Sequence, residues 1–536
     1  MIGPQYDCDG RWCQHQPDNP NQHFRLKSVP TLGNHLPPFT HAAPQPLLIY
    51  NQALNIIAVS PKNLRKSIAV GAVLHSDRTP AAASRLRTLS RTVAVSVATI
   101  ALAACGNTYR PVVASINPVG PAAQPTKYAV AISSTGATTP GLVTFIDFSG
   151  DTIVNTTLIG VNPQYFQLAS TGFEGYTLNG DGTLNSFSIA SSLLASDVLQ
   201  STLFANSNPV SIYSQGTYTY IAEAGRNAVA ELSGLPPAIQ QELPTGAGTI
   251  YTVGAGSSPR AYALVEGAPA TGNGTAVPIE TGSNTIDSPI PVGIAPTYGV
   301  MTADSRRAFI LNKGSNTVSV INAQTNALDT FLLNGVTQRT IPVGIAPVWA
   351  DFAPTLNEVL VANQGNGTTP GSVTIASIPL CSQTTVTTNP NCDTSNPVDA
   401  TGFGQVIATI KVGINPFMIA VLQDGTEAFV ANSGNPALPC VLPTGTNPPN
   451  CSVSIINLTT NTVVATIPAI ESTNEADGYV HGRPNWLAVT TGTPTGKAYI
   501  TAGDSTDISI IRSDDNLIET HLSLQGTGVS VRLNAP

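Results

Sequence analysis

The sequence predicts an all-β protein: a single β-propeller of four-stranded antiparallel blades, seven or eight in number, closed by the C-terminal strand completing the N-terminal blade. Three observations carry that prediction. The hexapeptide Pro-Val-Gly-Ile-Ala-Pro occurs twice, at residues 291–296 and 342–347, and weaker versions recur from residue 163 to residue 484. A β-rich segment recurs eight times, most copies about 41 to 51 residues apart and the last two intervals stretched to about 70, near the length of a propeller blade. Composition agrees, since 46 glycines, 43 prolines and only 10% charged residues favour short strands and tight turns over helices.

The chain reads in four parts. Residues 1–83 hold five of the seven histidines and many prolines without a sustained period, as expected of a non-native upstream extension or a disordered one. No Met follows Met1 until Met301, so translation from a start near Val70, Val73 or Leu74 is the expectation, with a true extension as the alternative. Residues 84–105 carry Arg85, Arg87 and Arg91, a short apolar run, then Leu102-Ala103-Ala104-Cys105. That order is a signal peptide, too short to span a bilayer. Its last four residues resemble the lipobox of bacterial lipoproteins, which implies lipidation of Cys105 and anchoring in the cell envelope. Gly106 in place of Asp favours the outer membrane over the inner one. Residues 106–124 form a linker, and 125–536 form the propeller.

Charge and cysteines narrow the function. Net charge is −8, and beyond Cys105 there are 13 basic against 27 acidic residues, which lacks the footprint of a phosphate-binding surface and excludes nucleic acid as the expected partner. The later cysteines form two pairs, Cys381 with Cys392 and Cys440 with Cys451, each eleven residues apart in Pro/Thr/Asn-rich loops. Local disulfides in an oxidising compartment are the natural reading. Neither pair has zinc-site spacing.

The clearest unit runs from Pro296 through Arg-Arg-Ala-Phe-Ile-Leu-Asn at 306–312 and Thr-Val-Ser-Val-Ile-Asn at 317–322 to a last strand before Pro342: four strands parted by polar turns. Its second strand aligns with segments starting at Lys127, Gly175, Thr219, Arg260, Glu358, Glu427 and Lys497. Here the chain resembles the YVTN family of bacterial β-propellers, close to the lactonase-like propellers, on Val361-Ala-Asn, Phe429-Val-Ala-Asn and Tyr499-Ile-Thr-Ala. The resemblance covers roughly residues 125–536 and is strongest from 290 onward.

Candidate sites follow from the repeat. First strands line the channel, and the face where the chain enters them (the proximal face) is expected to carry a mouth. Two residues after the repeat proline stand Tyr165, Tyr298, Trp349 and Trp486, suited to stacking on a planar ligand, a sugar or a side chain, or to packing between blades. The most irregular connection gathers Glu471, Glu475, Asp477, His481 and Arg483 before Trp486. An active site, if there is one, is expected there, with His481 or Glu475 accepting a proton and Arg483 holding an anion; the alternative is a solvated loop. Turns at 179–182 and 514–516 lack a calcium-loop pattern. With two histidines beyond Cys105 and no P-loop, nucleophile elbow or haem motif, no metal or cofactor is expected. The expected function is a monomeric, lipid-anchored, non-catalytic binding or assembly scaffold taking a protein partner or small ligand at the proximal face; the alternative is a lactonase-like or lyase-like enzyme at the channel mouth.

Overall fold

The computed structural model describes residues 7–8, 11–12 and 127–534, apart from 148, 190–196, 257, 268–271, 380–401, 443–447, 472–477 and 492–495. It divides into two compact units, Met1–Tyr109 and Arg110–Pro536. In the first, Asp7–Cys8 pairs with Arg11–Trp12. The expectations for the signal peptide, Cys105 and the Cys381–Cys392 pair lie outside the described residues, as do Glu475 and Asp477.

The second unit is a ring of eight antiparallel blades among the described residues, which settles the choice between seven and eight. Strands within a blade are lettered a to d from the channel outward. The a strands of blades 2 to 8 are Pro163–Leu168, Pro209–Ser214, Thr249–Val253, Pro296–Met301, Pro347–Ala353, Pro416–Val421 and Pro484–Val489. Strand a of blade 1 is Thr527–Leu533, paired to Tyr128–Ser134, with Pro140–Asp147 and Thr152–Val161 outside it. Each a strand packs on the next, and the eighth on the first. The first and last strands of the propeller thus share one sheet, and the ring has no open edge in its circuit. Across that seam Tyr499 donates to Asp151 Oδ1 at 2.6 Å and Lys497 ion-pairs with Asp151 and with Glu519.

The b strands are the buried layer, because both faces of each blade meet a neighbour. Arg307–Asn312 is buried at every position. The recurring aromatic of the aligned segments, Tyr176, Tyr220, Tyr262, Phe309, Phe429 and Tyr499, is buried between blades each time, contributing about 1.5–3 kcal/mol per side chain. Outer strands such as Thr462–Ile470 alternate exposed and covered residues instead, as one wet face requires.

The hexapeptide has a steric explanation. A Cβ on Gly293, Gly344 or Gly413 would lie 2.6–2.7 Å from the side chain of Asn312, Asn363 or Asn432, the last residue of the following b strand. Asn312 Oδ1 accepts from Gly293 N at 3.0 Å while its amide donates to Ser319 Oγ. The residue before the proline is left-handed in five blades: Asn162, Asn208, Ala295, Ala346 and Asn415, with φ between 42° and 56°. The same turn presents Ile294 and Ile345 to solvent on the proximal face.

Candidate functional site

The a strands carry one irregularity in common. Their ladder to strand b slips by one residue right after the repeat proline, at Pro163/Tyr165, Pro209/Ser211, Thr249/Tyr251, Pro296/Tyr298, Pro347/Trp349, Pro416/Met418 and Pro484/Trp486. In blade 1 the slip falls at the pairing of Gly528 and Ser530 with Ser133 and Ile132. A bulge re-aims the residue that follows it, and here it sends eight equivalent side chains inward.

Five of the eight are aromatic, and they meet across the channel. Tyr298 stacks on Trp349 with ring centroids 4.1 Å apart, Tyr251 lies 4.9 Å from Tyr298, Trp349 meets Trp486 edge-on at 5.3 Å, and Trp486 meets Tyr165 edge-on at 6.2 Å. Contacts between blades two apart, as for Trp349 and Trp486, require that the rings cross the axis. The sequence singled out four of these residues; Tyr251 escaped because Thr249 stands where the proline should. The four it named come together with Tyr251 in one aromatic layer that is both core and channel floor.

Beyond this layer lies a cavity of about 800 Å3. Tyr298, Trp349 and Trp486 floor it, Val300, Ala350, Met418 and Ala420 line its wall, and the exposed turn residues Ala303, Asp304, Pro354 and Gln423 form its rim. Those turns join strands a and b, so the cavity opens on the distal face, away from the mouth anticipated from the sequence. A second cavity of about 320 Å3, lined by Gln167, Ser214 and Gly254, shares Arg532 and Leu533 with the first. Between them the two are bordered by the a strands of seven blades and by Gly254–Gly256, which follow the a strand of blade 4.

Four ionisable residues line this chamber, Asp304 and Glu358 toward the turns at its rim and Asp351 and Arg532 on the a strands. Arg532 packs its guanidinium over the Trp486 ring at 4.8 Å and donates Nε–H to the Phe166 carbonyl at 3.2 Å. Its terminal nitrogens make no hydrogen bond to a described residue and border both cavities. Asp351 accepts from Phe352 N at 2.8 Å and Val421 N at 2.9 Å. Burial pushes its carboxyl up to about 6, against the pull of those two N–H groups. Burial likewise raises the phenols of Tyr251 and Tyr298, which remain neutral donors at neutral pH. Arg532 was invisible as a candidate because it lies in the strand that crosses from one chain end to the other; its position two residues after Ser530 is the signal that points to it.

The seam between blades 7 and 8 holds the other candidates, arranged differently. His481 is buried, its Nδ1 2.9 Å from Asp507 Oδ2 and its ring stacked on His521 at 3.6 Å. Ser509 Oγ accepts from His481 N and pairs with His521 Nδ1. Arg483 points elsewhere: it donates to the carbonyls of Ser433 at 2.5 Å and Leu438 at 2.7 Å, with Glu471 3.6 Å away. Glu471 also accepts from Cys440 N at 2.9 Å, inside a loop closed by the Cys440–Cys451 disulfide with Cα atoms 5.3 Å apart. His481 and Arg483 therefore do not converge on one pocket. Arg483 fastens the segment leading into the stapled loop of blade 7, and His481 joins the last strand of blade 7 to Asp507 and Ser509 of blade 8.

No protein-family model matches the chain, and no curated protein matches it in sequence. Solved structures do. Dihydro-heme d1 dehydrogenase NirN in complex with DHE is similar with a TM-score of 0.51 at 10% identity, over 76% of this chain and 75% of that one. Apo AztD from Citrobacter koseri is similar with a TM-score of 0.48 at 10% identity, over 76% of this chain and 97% of that one. A 6-phosphogluconolactonase assignment from Bacteroides fragilis is similar with a TM-score of 0.46 at 13% identity, over 77% and 99%. At such identities the likeness is one of fold, and the fold is the β-propeller.

Proposed function

We propose that this protein is a YVTN-like, lipid-anchored β-propeller of the bacterial cell envelope that binds a small organic ligand in its central channel without chemically altering it. The observation that carries this reading is the chamber of about 800 Å3 floored by Tyr298, Trp349 and Trp486. Its volume lies in the range of small-molecule sites, and its lining is apolar and aromatic with a few placed polar groups, as such sites are. A site in the channel is also favoured by the separation of the two described seam candidates, since Arg483 donates to loop carbonyls while His481 is buried against Asp507. Export is supported by the arginine-apolar-small order of residues 85–105 and by the Cys440–Cys451 disulfide, which persists in oxidising compartments.

Native mass spectrometry of the protein extracted from membranes tests this. A small-molecule adduct is expected on the wild type, and its loss is expected from Ala420→Trp, which fills the chamber from its wall. An adduct that survives Ala420→Trp would place the ligand elsewhere. The N-terminal peptide from the same preparation should begin at Cys105 and carry acyl chains; a mature chain starting elsewhere removes the anchor.

A further inference from the structure

Within the channel-binding reading, on which this inference rests, we infer that the occupant is a planar organic carboxylate, its ring laid on the Tyr298–Trp349–Trp486 floor and its anionic group received by Arg532. The ground for this is an imbalance between donors and acceptors. Arg532, which borders both cavities, spends Nε–H on the Phe166 carbonyl and has no hydrogen bond from its terminal nitrogens to a described residue. Trp486, whose ring lies under that guanidinium, has its indole N–H buried with no hydrogen-bond partner among the described residues. On the acceptor side, both Asp351 oxygens are already occupied by backbone N–H groups, and the one buried acceptor oxygen without a partner among the described lining residues, Glu358 Oε2, belongs to the residue that follows the turn at the rim. A buried donor left unmade costs about 1–3 kcal/mol, so the part of the chamber around Arg532 and Trp486, where donors are in surplus, is completed by a ligand that brings acceptors.

Charge and shape refine the class. Arginine's planar fork matches a carboxylate through two parallel bonds, and stacking on Trp486 fixes the plane of that fork. The stacked pair Tyr298–Trp349, at 4.1 Å and 21°, offers a flat face beside it. Asp304 and Glu358 lie at the outer part of the chamber, so the anion is held at the inner end by Arg532 and kept from the rim by like charge. A cationic ligand has the opposite difficulty, since the cation site over Trp486 is already filled by Arg532.

Calorimetry with three probes of one shape tests the class: naphthalene-2-carboxylate, the neutral naphthalene-2-methanol and the cationic 2-naphthylmethylamine. The carboxylate should bind about tenfold or more tightly than the alcohol, and the amine weakest. Arg532→Gln should bring the carboxylate to the level of the alcohol, and Arg532→Lys should keep part of the preference, with circular dichroism confirming a folded ring in each. Equal binding of carboxylate and alcohol to the wild type, or a preference that survives Arg532→Gln, overturns the carboxylate assignment while leaving channel binding intact. Silence of all three probes on folded wild type overturns both.

Discussion

The channel centre and the seam between blades 7 and 8 are made of similar side chains, an arginine beside a tryptophan or histidine with a carboxylate near, yet they differ in what is left over. At the seam both terminal nitrogens of Arg483 are taken, donating to the Ser433 and Leu438 carbonyls, with Glu471 3.6 Å away. In the channel Arg532 gives up only Nε–H and keeps its fork toward open volume. A cation with its bonds filled by backbone carbonyls fastens one loop to another. One whose bonds face a cavity over an aromatic floor is equipped to receive. Polar density in the sequence therefore marked a joint, while the chamber lies in a sparser, more apolar region.

Four substitutions or titrations sharpen this contrast, in descending order of effect. Trp486→Ala removes a nearly buried ring that touches Tyr165, Trp349 and Arg532, and should cost about 3–5 kcal/mol in urea unfolding together with the loss of channel binding. Full binding in a folded Trp486→Ala protein would detach the floor from function. His481→Ala leaves Asp507 without its imidazole and opens a small void, for an expected loss of about 1–3 kcal/mol. Binding of channel ligands should not change, and a defect there would join the two regions after all.

The third is a pH effect confined to the chamber. Burial raises the Asp351 carboxyl to about 6, above its unfolded value near 4. Between those values the folded state holds more protons than the unfolded one, so Asp351 makes folding less favourable as pH rises through that window. Trp349, two residues away, should report the titration as a fluorescence change with a midpoint near 6. That change should vanish in Asp351→Asn; its persistence would assign it to another group. The smallest effect is a control belonging to neither region. Ala346 sits at φ 56°, where the equivalent residues are Asn162 and Asn415, so Ala346→Asn should add roughly 0.5–1 kcal/mol of stability without altering binding.

How much could be read beforehand follows from what each feature depends on. The b-strand copies and closure through the C-terminal strand were legible because each rests on a local pattern, aromatics such as Phe309 and Phe429, turn residues, and a last strand with no blade after it, while the count stayed at seven or eight until the sheets were seen. The proline rule located Tyr165, Tyr298, Trp349 and Trp486, and the bulge explains why that position matters. The chamber was not legible. Its opening on the distal face depends on how far five rings reach across the axis, and Arg532 joins Trp486 only because residues 527–533 lie beside blade 8 in space. Tyr251 needed register rather than motif. At the seam, by contrast, the irregular connection was noticed for its charges, while the carbonyls that consume them belong to residues 433–438, about fifty positions earlier.

The central claim, that the channel receives and the seam fastens, is tested most directly by one paired titration. Binding of naphthalene-2-carboxylate is measured by calorimetry on Arg532→Gln and on Arg483→Gln, with urea unfolding of both. The account predicts that Arg532→Gln loses about tenfold or more in affinity with little change in stability, and that Arg483→Gln binds as the wild type does while unfolding more easily. Weakened binding in Arg483→Gln with wild-type affinity in Arg532→Gln would contradict it.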